Sequence, residues 1–279
     1  FIAVGARANG ALQVNNKDLF ATPFPYPSPA EQQKIADCLS SLDELIQAET
    51  ERLEALQAHK KGLMQQLFPA EGKTVPKLRF PEFQESGDWV EIENSAKIVS
   101  GNAYKVSLYR DVGIRLVQGA NILNGVYSDQ DSLHINPNEV TDHKNIIVKK
   151  GDILLGLNRP ITSNELKVCR YPFDSGYLYQ RAGKLEPNKK VINEFLYQFL
   201  CTPLFLERLK KELVGSDQPY IKSNLFAKGI VIVPSKKEQQ KISIFLSKTD
   251  ELITAQSEKI ESLKSHKKGL LQQLFPQLD

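Results

Sequence analysis

The 279-residue sequence predicts an α+β protein: one β-rich mixed domain flanked by two long helices that pair as an antiparallel coiled coil. Three observations carry this prediction. A segment of 39 residues occurs twice, both copies hold a sustained heptad stripe, and the stretch between them changes to short runs rich in Val, Ile and Leu.

The first element, residues 1–28, reads as the end of a strand-rich domain. Its Asn16 to Pro27 part corresponds weakly to Ser223 to Pro234, each an apolar stretch ending in Pro. The helix of residues 29–69 follows and carries the first repeat copy, EQQKIADCLSSLDELIQAETERLEALQAHKKGLMQQLFP at 31–69. The second copy lies at 238–276 within a helix predicted over 236–279. The offset is 207 without a gap, and 25 of 39 positions are identical.

Ile35, Leu39, Leu42, Ile46, Leu53, Leu56, Leu63 and Leu67 step by alternating fours and threes. Ile242, Leu246, Ile253, Ile260, Leu263, Leu270 and Leu274 do the same in the second copy. That spacing is the a/d seam of packed helices. Glu49, Lys60, Thr249, Gln256 and Lys267 interrupt it and are positioned to set register. A helix of about 37 residues is roughly 55 Å long and needs a partner along its stripe. The other copy supplies one, antiparallel because the chain makes a long excursion between the two. The alternative is two separate amphipathic helices packed on a globular core.

Residues 70–87 form a linker punctuated by Gly72, Pro76, Pro81 and Gly87, with KLRFPEF as an extended arm. In the domain of residues 88–235, AKIVSG (96–101), GIRLVQGANI (113–122), NIIVKKGDILLGL (145–157) and GIVIVP (229–234) read as strands. An amphipathic helix over 194–211 is bent or divided by Pro203.

Composition narrows the chemistry. Cys38, Cys169 and Cys201 have no CxxC or CxxH neighbours and read as free thiols of a reducing cytoplasm. No apolar run approaches the roughly 18 residues of a membrane span, and no signal peptide is recognisable. No GxxxxGK[ST], GxGxxG or GxSxG occurs, and the four His are not spaced as metal ligands, so no cofactor or metal is expected. Asp152 with Glu165 and Lys167 resembles the D…ExK spacing of metal-dependent nucleases. However, Asp152 reads better as a turn residue entering a buried strand, and Glu165 as part of a loop.

Net charge is +3, but it is uneven. Residues 144–184 hold eight Lys or Arg against Asp152, Glu165 and Asp174, interleaved with Tyr, Asn and Gln. Cations neutralise phosphates, and Asn, Gln and Arg can read base edges through paired hydrogen bonds. Two further polar surfaces are 102–124 and the turn 215–224.

The two EQQKI…DELI…HKKGL(M/L)QQLFP segments, each preceded by a Pro-terminated strand, resemble the DNA specificity subunit of type I restriction–modification systems. KKGDILL at 149–155 and GSDQPYIKSNLFAKGIVIVP at 215–234 fit the same family. The resemblance implies a subunit without catalysis, whose target-recognition domains each read half of a split double-stranded DNA site. It also implies that a conserved helix pair docks the methyltransferase (modification) subunits and, through them, the restriction subunit. Only one complete recognition domain is present here. The expectation is therefore a fragment or cleaved product, the alternative being two copies associating as a homodimer.

The DNA-contact candidates are Lys105, Arg110, Arg115, Gln118, Asn121, Asn158, Arg159, Arg170, Gln180, Arg181, Lys184, Gln218, Tyr220 and Lys222. The docking candidates off the seam are Lys61, Gln65, Gln66, Lys268, Gln272 and Gln273. A coiled-coil tether whose domain binds another protein is the competing function.

Overall fold

The computed structural model describes residues 27–139, 146–213 and 219–275, together with the strands at 4–6 and 12–14. The chain forms two compact units, Phe1–Leu56 with Leu252–Asp279, and Gln57–Glu251. Two 39-residue helices contribute to both: α1, Pro29–Leu67, and α4, Lys236–Leu274. The α+β expectation holds, with long helices on either side of a β-rich region in the chain.

In the first unit, β1 (Val4–Ala6) pairs antiparallel with β2 (Leu12–Val14). The helices run antiparallel here, with Glu49 against Gln256 and Lys259, and Asp43 ion-paired with Lys267. Glu49 and Gln256 occupy equivalent repeat positions. The Gln256 amide donates to the Glu49 carbonyl at 2.9 Å and to its carboxylate at 2.6 Å, and Lys259 Nζ adds a third bond at 2.6 Å. These bonds satisfy the buried carboxylate and hold it below the usual carboxylate range, Gln256 contributing most.

The second unit is built on two sheets. The four-stranded sheet orders β12 (Val168–Arg170), β9 (Ile153–Gly156), β14 (Ala182–Pro187) and β4 (Ala96–Ser100), all antiparallel. The five-stranded sheet orders β5 (Tyr109–Arg110), β7 (Leu133–Ile135), β6 (Ile114–Val117), β13 (Gly176–Leu178) and β8 (Ile147–Val148), with β6 and β13 parallel. Shorter pairs join β15 (Val231–Val233) to β3 (Val90–Ile92), and β10 (Ile161–Thr162) to β11 (Glu165–Leu166).

Both faces of the four-stranded sheet are covered. Successive strand residues point to opposite faces. Thus Ile153, Leu155, Ile98 and Val168 enter one core, while Leu154, Val99 and Cys169 enter the other. This double burial explains why ILLG is an unbroken apolar run. Burial pushes the Cys169 thiol up to about 12, so it is an inert core group.

The first core is aromatic. Phe68 at the end of α1 meets Trp89, Phe195 and Phe199 at ring distances of 5.6–6.0 Å. Phe195 and Phe199 stand on α2 (Asn193–Leu200), which ends before Pro203 opens α3 (Pro203–Leu213). The division expected at Pro203 is observed: a proline lacks an N–H and is tolerated at the first helical position. In the linker, Pro81–Phe83 form a 3-10 turn, and Arg79 pairs with Glu238 through two bonds of 2.7 Å. Gln198 and Lys60 both bond the Asp250 carboxylate, at 2.8 and 2.5 Å, tying α2, α1 and α4 together within this unit.

Candidate nucleic-acid interface

The three polar surfaces separated in sequence meet at one place in the second unit. β9 runs out into Leu157–Arg159, β13 into Tyr179–Arg181, and β6 into Gln118–Asn121. Their backbones are bonded to one another and to residues 219–221. Leu157 N–H donates to the Arg181 carbonyl at 2.9 Å, and Ile221 N–H to the Leu157 carbonyl at 2.9 Å. Arg159 N–H donates to the Pro219 carbonyl at 2.9 Å, Gln180 N–H to the Asn102 carbonyl at 2.9 Å, and Tyr179 N–H to the Val117 carbonyl at 2.9 Å. Asn158 and Tyr220 form an antiparallel bridge. Gly119 is required here: a Cβ would lie 2.9 Å from the Arg181 carbonyl oxygen.

Tyrosines support this edge from within. The Tyr104 and Tyr179 rings stack with centroids 6.0 Å apart, and the Tyr109 and Tyr179 hydroxyls share a hydrogen bond of 3.0 Å. That bond raises the Tyr109 pKa, and burial pushes the Tyr104 hydroxyl up to about 12, so both remain neutral at ordinary pH. The Gln180 amide donates to the Tyr179 hydroxyl at 3.4 Å.

Two arginines at this edge have unusual backbones. Arg159 has φ 45° and Arg181 has φ 69°. A side-chain-bearing residue in the left-handed region costs on the order of 1–3 kcal/mol and persists where surrounding bonds enforce it. The bonds from Leu157 and to Pro219 do so here.

The candidates from the sequence fall into distinct groups. Lys105, Arg110, Arg159, Gln180, Arg181, Tyr220 and Lys222 are exposed, and Gln118 and Asn158 are half-buried at the converging loops. Asn121 is buried, and its amide has internal work. It accepts from Gln118 N–H and donates to the Ser128 carbonyl, both at 2.9 Å. Arg115 is held by Asp129 through bonds of 3.0 and 3.2 Å and lies 3.9 Å over the Phe173 ring. Arg170 donates to the Gly151 carbonyl and covers Tyr197, while Lys184 donates to the Ile147 carbonyl at 3.1 Å. These four side chains brace the fold. Gln218 lies outside the described residues.

The two carboxylates of the alternative nuclease reading are also placed. Asp152 accepts the Lys149 N–H at 2.8 Å, which is the turn geometry expected of it. Glu165, expected in a loop, instead begins the short strand β11 and is exposed. The sequence did not single out Gly119, Tyr104 or Tyr109. Their roles arise from partners about 60 or more residues away, so spacing carried no signal.

The family model described as the type I restriction modification DNA specificity domain matches residues 6–58 and 81–265. The MjaVIII specificity subunit of Methanocaldococcus jannaschii is 28% identical over 281 residues, covering 99% of this chain and 66% of that protein. The EcoAI specificity subunit of Escherichia coli is 28% identical over 175 residues, covering 62% and 29%. The chain thus spans at most about two thirds of the length of these relatives. The crystal structure of a type I restriction–modification S subunit from M. genitalium matches with a TM-score of 0.59 at 19% identity, over 98% of this chain and 68% of that one. A structure from work on assembly and conformational transition of the type I R-M system matches at 0.57 and 18% identity, over 96% and 65%.

Proposed function

The chain belongs to the DNA specificity family of type I restriction–modification systems, and from that premise we propose that its second unit reads one half of a two-part duplex DNA site. The carrying observation is the meeting of three sequence-distant polar segments at one edge, with Lys105, Arg110, Arg159, Arg181 and Lys222 exposed. In this reading phosphate contacts position the unit, and loop side chains supply selectivity. Methyl transfer belongs to modification subunits docked on the helices. The exposure of Lys61, Gln65, Gln66, Lys268, Gln272 and Gln273 supports that docking.

The test is duplex binding by the chain, alone and with its modification subunits, across a salt series. Three phosphates, neutralised by Lys105, Arg110 and Lys222, give a log–log slope of about −3, and five, with Arg159 and Arg181 added, one of about −4 to −5. Replacing residues 88–235 by those of a relative should change the methylated half-site in a host carrying the complete system. The mass of the DNA-bound complex distinguishes one copy of the chain from two. Absence of duplex binding even with modification subunits would favour the tether function instead.

A further inference from the structure

Seven arginines lie in the second unit, and five are engaged by their own chain. Arg79 holds Glu238, Arg110 holds the Ser107 and Tyr109 carbonyls, and Arg115 holds Asp129. Arg170 holds the Gly151 carbonyl, and Arg208 holds Glu71, Glu91 and the Gly229 and Ile230 carbonyls. Arg159 and Arg181 differ: neither guanidinium has a hydrogen-bond or ion-pair partner among the described residues. Both are exposed, both have left-handed backbones, and Leu157 links their two loops through its bond to the Arg181 carbonyl.

A guanidinium without an internal partner keeps its planar fork of donors available. Neutralising a phosphate needs only a cation on a flexible stem, and a strained backbone adds nothing to it. Reading a base edge requires a fixed origin, because two donors must meet two acceptors in one plane. The match for that fork in the major groove is the O6/N7 pair of guanine. Strain imposed twice, at adjoining loops, on the two unengaged arginines is what such reading demands.

We propose that Arg159 and Arg181 are the specificity-determining pair of this unit, each reading a guanine edge in the major groove, so that the half-site contains two G·C pairs set by these residues. This rests on the DNA-recognition reading above.

The experiment selects from a randomised duplex library with the full chain and its modification subunits, and sequences the bound fraction. Wild type is compared with R159K, R181K, R159G and R181G. Lysine keeps the charge and loses the fork. Glycine takes a positive φ freely, so the Gly variants should melt no lower than wild type. The expected result is that each variant relaxes one G·C position, by about 5- to 150-fold, and leaves the rest of the motif intact. An unchanged motif, or affinity lowered equally on all sequences, overturns the proposal in favour of phosphate contacts. A Gly variant that melts lower overturns it in favour of a structural role. A wild type that enriches no motif sinks the DNA-recognition reading itself, a separate outcome.

Discussion

The two copies of the repeat are nearly the same sequence and have different surroundings. Phe68 is 2% exposed among Trp89, Phe195 and Phe199, whereas its repeat mate Phe275 is 49% exposed. Met64 is buried and Leu271 exposed. Leu246 is buried and Leu39 half-buried. Glu238 is buried against Arg79, while Glu31 is exposed. The Gln239 side chain bonds the Pro234 carbonyl and also reaches Ile192 N–H and the Lys190 carbonyl, whereas among the described residues the Gln32 side chain shows only the equivalent bond, to Pro27. The helices therefore carry one set of side chains able to work both as a core wall and as a surface. Which of these they become is decided by what packs on them within each unit.

That contrast can be broken by substitution. The largest effect is expected at the aromatic core: Phe68→Ala should destabilise by about 3–5 kcal/mol, and Phe275→Ala by no more than about 0.5 kcal/mol. Denaturant midpoints of the two variants measure this, and equal shifts would contradict the difference in burial. Next comes Glu238→Ala, which removes the carboxylate that neutralises the buried Arg79 and leaves it the Ser86 and Gly87 carbonyls, at a cost of about 3 kcal/mol. Glu31→Ala should stay within about 0.5 kcal/mol.

A third test uses pH and the central pair Glu49/Gln256. The Glu49 carboxyl is held below its ordinary 4.5 by Gln256 first and Lys259 second. A depressed carboxylate adds stability that is complete above its unfolded value and is lost as pH falls through the folded one. Glu49→Gln should therefore narrow its gap to wild type below pH 4.5, with the full gap at neutral pH. Melting curves between pH 7 and 3 check this, and a gap constant across that range would rule out the carboxylate as its origin.

The smallest difference concerns the matched ion pairs. Lys60 pairs with Asp250, a carboxylate also bonded by Gln198, while the mate Lys267 pairs with the more exposed Asp43. Lys60→Met should cost about 1 kcal/mol, and Lys267→Met only a few tenths, about 0.3 kcal/mol. Urea titration of both variants at low and high salt separates the pairs.

Legibility followed the range of the interactions. The helices at Pro29–Leu67 and Lys236–Leu274 lie close to the spans read from the heptads, and every seam residue from Ile35 to Leu274 is buried or half-buried. Pro203 divided its helix as expected. The candidate interface was legible only as a composition. Lys, Arg, Asn and Gln density marked the segments, but nothing local distinguished Arg181 from Arg170, or Gln118 from Asn121. Their difference lies in partners such as Gly151, Tyr197 and Ser128.

The amino-acid order by itself determined the repeat, the two long helices and the alternation of strands with turns, because each depends on periodicity within a few residues. Tertiary structure alone decided which copy of the repeat becomes a core wall, which arginines of the second unit are held by internal bonds, and which two of its described arginines stay available on strained loops. Apart from the local bonds of Arg110, those outcomes depend on contacts that close over tens to hundreds of residues, and such pairings leave no periodic trace along the chain.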